Sequence, residues 1–462
     1  MVSATKNNVI LNRWAETLHR RAADAALLAS NGAIERTFAD IEREAALWTE
    51  KLTPCPPGTV VGIQIGNCPS WPALVLASMR LHLIPLPLGC HMARDEREMA
   101  LETCRAGLLV TSDEKALQIE QRPIVGLPAL ENCDFLKLTS GTTSRPRAIR
   151  FTAAQMTADC DNICETMGIA DTDLNFGVIP FSHSYGFSNL ITPLLCRGVP
   201  LAASEDRMPR AILNDLARTA ATVFPGMPVF FEKLASMQDA PPLPHLRLCI
   251  SAGAPLPARV GRAFSSRFSL KVHTFYGSSE CGGIAYDATE DSIDEGGFVG
   301  LPMRNVEIVP LENTGQITVR SEAVGDGYYP QTEPATLGHG QFVPSDLVRI
   351  EPRGMYLTGR ATDVINIAGR KLNPAEVEAR LAQCPGVRQV VVFGIPSPLR
   401  NEEAVACVSG TAGADAILHY ARTVLSAWQV PKDIWLVDEV PVNDRGKISR
   451  RLLAATYAEM QR

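Results

Sequence analysis

Apolar residues recur along this chain with two alternating periods, and the alternation predicts its architecture. Thr37 with Asp40 three residues on marks a capping box for a helix whose apolar positions are Ile41, Ala45, Trp48 and Leu52, the spacing of one helical face. Residues 60–65 (VVGIQI) read as a buried strand, 71–83 as a helix and 108–112 as another strand. Further strands are predicted at 176–181, 246–251 and 271–275, and helices at 186–197, 211–221 and 257–268. Strands separated by helices of this length predict an α/β fold of parallel sheets with helices on both faces. Such sheets bind ligands beyond the carboxyl ends of their strands.

From about residue 296 the pattern shifts to short strands punctuated by glycine, such as VEIVPL and GQITVRS. A compact β subdomain over 296–359 is expected. After Arg360 a separate α+β unit is predicted, with helices at 374–382 and 414–428 and strands at 387–394 and 433–437. The expected organisation is a large N-terminal domain, 1–359, and a small mobile C-terminal domain, 360–462, hinged near Thr362.

A chain of 462 residues exceeds one ordinary core, in keeping with that division. Hydrophobic residues make up 46% and charged residues 20%, which fits a globular enzyme and not a disordered chain. A formal charge of −6 gives no electrostatic case for a nucleic-acid partner. Twelve cysteines follow no repeating frame; Cys160 and Cys164 lie one helical turn apart without a second pair at zinc-finger spacing. They read as reduced thiols of a cytoplasmic protein. The most apolar window, 72–88, is broken by Arg80, His82 and three prolines, so no membrane span is expected. The first residues, MVSATKNNVILNRW, lack the continuous apolar core of a signal peptide.

The most informative stretch is LTSGTTSRPRAIRFT, residues 138–152. Thr139, Ser140, Gly141, Thr142, Thr143 and Ser144 offer backbone N–H groups and hydroxyls with little bulk, and Arg145, Arg147 and Arg150 add positive charge. That composition suits a polyphosphate; alone it also suits a polar turn. Four further stretches accompany it: IPFSHSYGF at 179–187, YGSSE at Tyr276–Glu280, a long run over 345–381, and PVNDRGKISRRLL around Lys447. Together and in this order they resemble the ANL superfamily of adenylate-forming enzymes, over essentially the whole chain from about 10 to 455.

The resemblance implies ATP-dependent activation of a carboxylic acid to an acyl adenylate, followed by transfer to a pantetheine thiol. It assigns Thr139, Ser140, Gly141, Thr142, Thr143 and Arg147 to the phosphates. Gly253, Ala254, Tyr276, Gly277 and Ser278 fall to the nucleotide, with Tyr276 against the adenine. Ser279 is implied to meet a phosphate and Glu280 to hold Mg²⁺, for which one carboxylate beside phosphate oxygens suffices. Asp346 matches the acid that binds the ribose hydroxyls, and Arg360 an arginine near the hinge. Lys447 matches the lysine that contacts carboxylate and α-phosphate during adenylation, where negative charge accumulates. Gly369, Arg370 and Lys371 fall on the loop that shapes the thioester-forming channel. The implied acyl pocket comprises Phe181, His183, Tyr185, Gly186, Ala252, Cys281, Gly282 and Gly283. His183 is either a wall or gate of that pocket or a satisfied structural histidine. The paired glycines Gly282 and Gly283 predict an open pocket floor.

Several positions depart from the family pattern. Ser144 replaces the usual Gly of the phosphate loop and Arg147 the usual Lys. Thr362 stands where an acidic hinge residue is common, Asn366 where Lys is common, and Asn443 where Thr is common. The region before the phosphate loop is short, so a trimmed N-terminal subdomain is expected. A hydrophobic acid, fatty or aryl, is the expected substrate. CoA is the expected acceptor and a separate acyl carrier protein its alternative, since no fused carrier follows Lys447. A serine hydrolase is disfavoured because no G-x-S-x-G occurs, and a P-loop NTPase because no G-x-x-x-x-G-K-[ST] occurs. A non-catalytic acyl- or nucleotide-binding relative would more readily have lost Glu280, Asp346, Arg360 or Lys447.

Overall fold

In a computed structural model, which describes residues 8–113, 116–123, 130–139, 146–292, 295–397, 400–442 and 448–461, the capping box at Thr37 forms. The Asp40 amide donates to Thr37 Oγ1 at 3.1 Å and the Thr37 amide to Asp40 Oδ2 at 2.8 Å. The helix Phe38–Leu52 so begun buries Phe38, Ile41, Ala45, Trp48 and Leu52, the stripe its spacing predicts.

The chain divides into two compact units. The first comprises Met1–Pro310, Ile317–Pro344 and Ile350–Tyr356; the second gathers Leu311–Gln316, Ser345–Arg349 and Leu357–Arg462. The division therefore runs through the strand Gly354–Arg360, not at one point, and part of the expected β subdomain falls in each unit.

The large sheet of the first unit is parallel only at its centre. Strands Ala25–Leu28, Leu201–Ala203, Asn175–Gly177, Val223–Gly226, Leu248–Ser251 and Val272–Ser278 run parallel in that order. Strands Gly282–Tyr286 and Phe298–Pro302 then add antiparallel, so the expectation of purely parallel sheets holds for the core and fails at the edge. A hairpin can join neighbours there without a crossover helix. A second sheet pairs Val60–Gln64 in parallel with Ile84–Pro87 and Ala106–Ser112. A third, antiparallel, sheet holds Phe135–Thr139, Arg147–Phe151 and Gly327–Tyr329. Phe176, Phe224, Phe231 and Phe264 fill the main core under the central sheet.

Two elements differ from expectation near the informative motifs. The strand over 176–181 ends at Gly177, because the Asn67 side chain takes over its backbone bonding. Asn67 Nδ2 donates to the carbonyls of Gly177 and Ile179 at 3.1 and 3.2 Å, and Asn67 Oδ1 accepts from the Phe181 amide at 2.9 Å. The helix over 186–197 is interrupted by a π turn, Phe187–Ile191. Pro193 cannot donate to the carbonyl of Asn189 four residues back, and the Asn175 side chain donates there instead, at 3.3 Å.

The second unit packs the helices Pro374–Leu381 and Ala414–Val424 on a sheet that includes Val387–Ser397, Asn401–Gly410 and Asp433–Val437. Arg450 ties it together, donating to both oxygens of Glu378 at 2.8 and 3.0 Å and to the Val392 carbonyl at 2.9 Å. Among the described residues no helix is long and apolar enough to cross a membrane.

Candidate active site

In the first unit Glu280 sits at a hairpin tip against the strand Gly327–Tyr329. Strands Val272–Ser278 and Gly282–Tyr286 pair so that Ser278 faces Gly282, leaving Ser279, Glu280 and Cys281 as the tip. Ser278 Oγ accepts from the Glu280 amide at 3.2 Å, and the Glu280 carbonyl accepts from the Gly325 amide at 2.9 Å. The Glu280 carboxylate is held by the Tyr328 hydroxyl, which donates to Oε1 at 3.1 Å. Burial, and then the charge of Glu280, push the Tyr328 hydroxyl well above the ordinary tyrosine value, so it stays a donor.

Tyr328 is also the platform for Arg147, whose guanidinium lies 3.9 Å from the ring centroid. Arg147 donates to Glu333 at 2.6 Å. Its Nε is buried and meets no acceptor among the described residues, a donor available to an anion. The neighbouring strand ends at Thr139, whose hydroxyl donates to the Arg147 carbonyl at 3.2 Å. Thr139 and Arg147 thus face each other at the two ends of the stretch that the resemblance assigns to phosphates. Ser140, Gly141, Thr142, Thr143, Ser144 and Arg145 lie outside the described residues, as do Asn443, Gly446 and Lys447.

Ser279 is joined to the HSYG turn by a 2.6 Å hydrogen bond with Ser184 Oγ. In that turn His183 caps the following helix: its Nδ1 accepts from the Tyr185 amide at 3.2 Å, which in the neutral ring leaves the proton on Nε2. The ring itself is exposed. Phe181 and Tyr185 are buried, and the Tyr185 hydroxyl donates to the Ile250 carbonyl at 3.2 Å. Gly186 is required by packing, since a Cβ there would stand 2.1 Å from the Pro180 carbonyl oxygen. Ala252 and Tyr276 are buried, whereas Gly253 and Ala254 are exposed. A Cβ on Gly253 would find nothing nearer than 3.9 Å.

The open floor expected at the glycine pair is not there. A Cβ on Gly282 would lie 1.9 Å from Asp159 Oδ1, and one on Gly283 would lie 2.4 Å from the Met303 sulfur. The room left by the absent side chains is filled by Asp159 and Met303. Gly277 likewise makes space for the Gly282 carbonyl, 2.8 Å from its would-be Cβ. Cys281 is fully buried, its sulfur 3.4 Å from Ser278 Oγ.

In the second unit Asp346 and Arg360 meet each other across a hairpin, Nε to Oδ1 at 3.0 Å, with Asp346 sheltered and Arg360 exposed. Gly369 and Ala368 both adopt positive φ, +86° and +51°, the requirement of a two-residue type I′ turn. Asn366 Oδ1 accepts from the Gly369 amide at 2.9 Å, so Asn366 serves the turn itself. Arg370 lies over Trp428 at 5.5 Å, and Lys371 is exposed.

The donor set fits a magnesium nucleotide. Glu280 contributes one carboxylate beside the Ser279 hydroxyl, hard oxygens of the kind Mg²⁺ takes together with phosphate oxygens, and Arg147 Nε meets no competing acceptor among the described residues. Asn67 and Tyr328 were not singled out from the sequence. Asn67 carries no local signal; Tyr328 lies in GYYP, whose partner Glu280 is 48 residues away.

Comparison with known proteins defines the class. The AMP-binding enzyme family model matches residues 123–329, and the AMP-binding enzyme C-terminal domain model matches 376–447. The chain belongs to this family, the ANL adenylate-forming superfamily, and is an AMP-forming acid–thiol ligase. It is 25% identical over 458 residues to a feruloyl-CoA synthase of Amycolatopsis, covering 90% of this chain and 93% of that protein. To a probable CoA ligase of Humulus lupulus, CCL9, it is 27% identical over 341 residues, 69% of this chain and 65% of that one. Among solved structures, ATP-bound MatB from Rhodopseudomonas palustris superposes with a TM-score of 0.85 at 21% identity, over 98% of this chain and 100% of the other.

Proposed function

We propose that the chain activates a carboxylic acid with an apolar body, fatty or aryl, and passes the acyl group to CoA. The observation that carries this reading is the junction of Ser279–Glu280 with both the Thr139–Arg147 hairpin and the HSYG turn. Residues assigned to the phosphates and the turn that carries the buried Phe181 and Tyr185, assigned to the acyl group, meet at that junction. Relatives named for feruloyl-CoA and long-chain-fatty-acid–CoA formation support an apolar-bodied acid.

In the first half-reaction R–COO⁻ attacks the α-phosphorus of ATP and pyrophosphate leaves. Arg147, fixed over Tyr328, offers a cation where the phosphates would lie. Glu280 would hold Mg²⁺, which neutralises charge on the phosphate oxygens when bound. The resemblance gives Lys447 the contact to the attacking carboxylate and Asp346 the ribose hydroxyls. In the second half-reaction the thiol of CoA attacks the acyl carbon, AMP leaves, and the thiol proton is released.

The test is carboxylate-dependent release of pyrophosphate from ATP, across fatty, aryl and short acids, with and without CoA. Release with fatty or aryl acids, accelerated by CoA, is the expected result. A burst that stalls with CoA and resumes with an acyl carrier protein would replace CoA as acceptor. Silence with every acid would overturn the reading.

A further inference from the structure

Among the described residues Lys137 is the only lysine or arginine that is fully buried, at 5% exposure. It stands on the strand Phe135–Thr139, two residues before the stretch that the resemblance assigns to phosphates. The two-residue period puts Phe135 and Lys137 on one face. The Phe135 and Phe187 rings pack at a tilt, centroids 4.4 Å apart, and Lys137 Nζ donates to Ser188 Oγ at 3.2 Å. That face therefore looks at the π turn directly behind the HSYG motif. Leu136, on the opposite face, packs into a different core with Leu86 and Leu109.

The ammonium is poorly matched inside the protein. It lies 4.5 Å from the Phe151 ring centroid, and Ser188 is its one hydrogen-bond partner among the described residues, although an ammonium has three protons to donate. Asp159, Cys281 and Glu280 contribute only through the field, and Asp159 Oδ1 already accepts from the Gly283 amide at 3.0 Å. Burial accordingly holds Lys137 below the ordinary lysine value. An apolar side chain would fill this site at less cost. The turn that presents Ser188 is itself a π irregularity, of the kind that concentrates at functional sites. Cys281 and Asp159 contribute to the field at Lys137; Cys281 is among the residues assigned to the acyl group, and Asp159 abuts Gly282, another of them.

We infer that Lys137, with Ser188, is a specificity determinant of the acyl site: the acid carries, on its apolar body, an oxygen acceptor that docks on this pair, foremost a second carboxylate. The inference rests on the ligase reading above and narrows its substrate class. Docking of the acceptor supplies the partner that the buried ammonium lacks, and an acid without it leaves the ammonium unsatisfied.

The test is acid-dependent ATP–pyrophosphate exchange by the full chain, with acids of one skeleton ending in methyl, hydroxyl or carboxylate. The wild type is expected to favour an oxygen-ended acid over the methyl acid by roughly 10- to 100-fold in kcat/KM. Lys137→Met is expected to erase that ratio. Ser188→Ala, a smaller change that guards against misfolding of the first variant, is expected to lower the ratio about 3- to 10-fold. A wild type that prefers the methyl acid, or a ratio unmoved in Ser188→Ala and in folded Lys137→Met, would make Lys137 a mere counter-charge for Asp159 and overturn the inference alone. No exchange with any acid would overturn the ligase reading together with it.

Discussion

One hydroxyl, that of Tyr328, decides how the Glu280 carboxylate is presented. Its 3.1 Å bond holds one oxygen, Oε1. Tyr328→Phe keeps the ring under Arg147 and removes only that bond. It should raise the Mg²⁺ concentration for half-maximal pyrophosphate release by about 3- to 10-fold, read from a magnesium titration at saturating ATP; an unchanged midpoint would deny Tyr328 this role. Asp346→Ala should raise KM for ATP at least about 10-fold and leave KM for the acid little changed, by initial rates varied in each substrate. At this scale the motif residues were legible because each stretch carries its own chemistry. Their partners were not: Tyr328 and Asn67 act on residues remote in sequence, and only folding brings them there.

At the scale of elements, the hairpin that bears Glu280 depends on a glycine for an unexpected reason. Gly282 adopts φ of +68° and abuts Asp159, so Gly282→Ala meets both backbone strain and a buried carboxylate. A loss of roughly 2–4 kcal/mol is expected, measured by chemical denaturation, with activity falling in parallel. A second junction is Asp161, which accepts from Arg13 at 2.6 and 2.7 Å and from Arg197 at 2.7 and 3.0 Å. It joins the helix Val9–Arg21 to Ala153–Met167 and Thr192–Arg197. Burial opposes its charge, but the two arginines outweigh burial and hold its pKa below the ordinary 3.8. Its stabilisation is therefore complete above that value and is lost as pH falls below it. Asp161→Asn should cost about 1–3 kcal/mol at pH 7 and unfold alongside wild type once the pH is below the depressed pKa of Asp161, by thermal melts across pH. A gap that persisted in acid would assign the effect to packing.

Over the whole molecule, each unit holds its own core, and the ligase reading divides two half-reactions between motifs in different units. Lys447→Ala should abolish adenylate formation, a fall of at least about 100-fold for a cation placed on transition-state charge. Thioester formation from supplied acyl-AMP and CoA should remain largely intact. Equal loss of both half-reactions would remove Lys447 from its assigned step. The sequence by itself determined the α/β class, the existence of a small second unit and the family, because periodicity and loop chemistry are local and survive in the order of residues. Only the tertiary structure decided that Asp159 and Met303 occupy the space beside Gly282 and Gly283, that Pro193 and Asn175 turn a helix into a π segment, and that a lysine on a strand ends buried against Ser188. Those outcomes depend on which atoms arrive from distant parts of the chain, and a linear pattern records only that a position is small, kinked or charged.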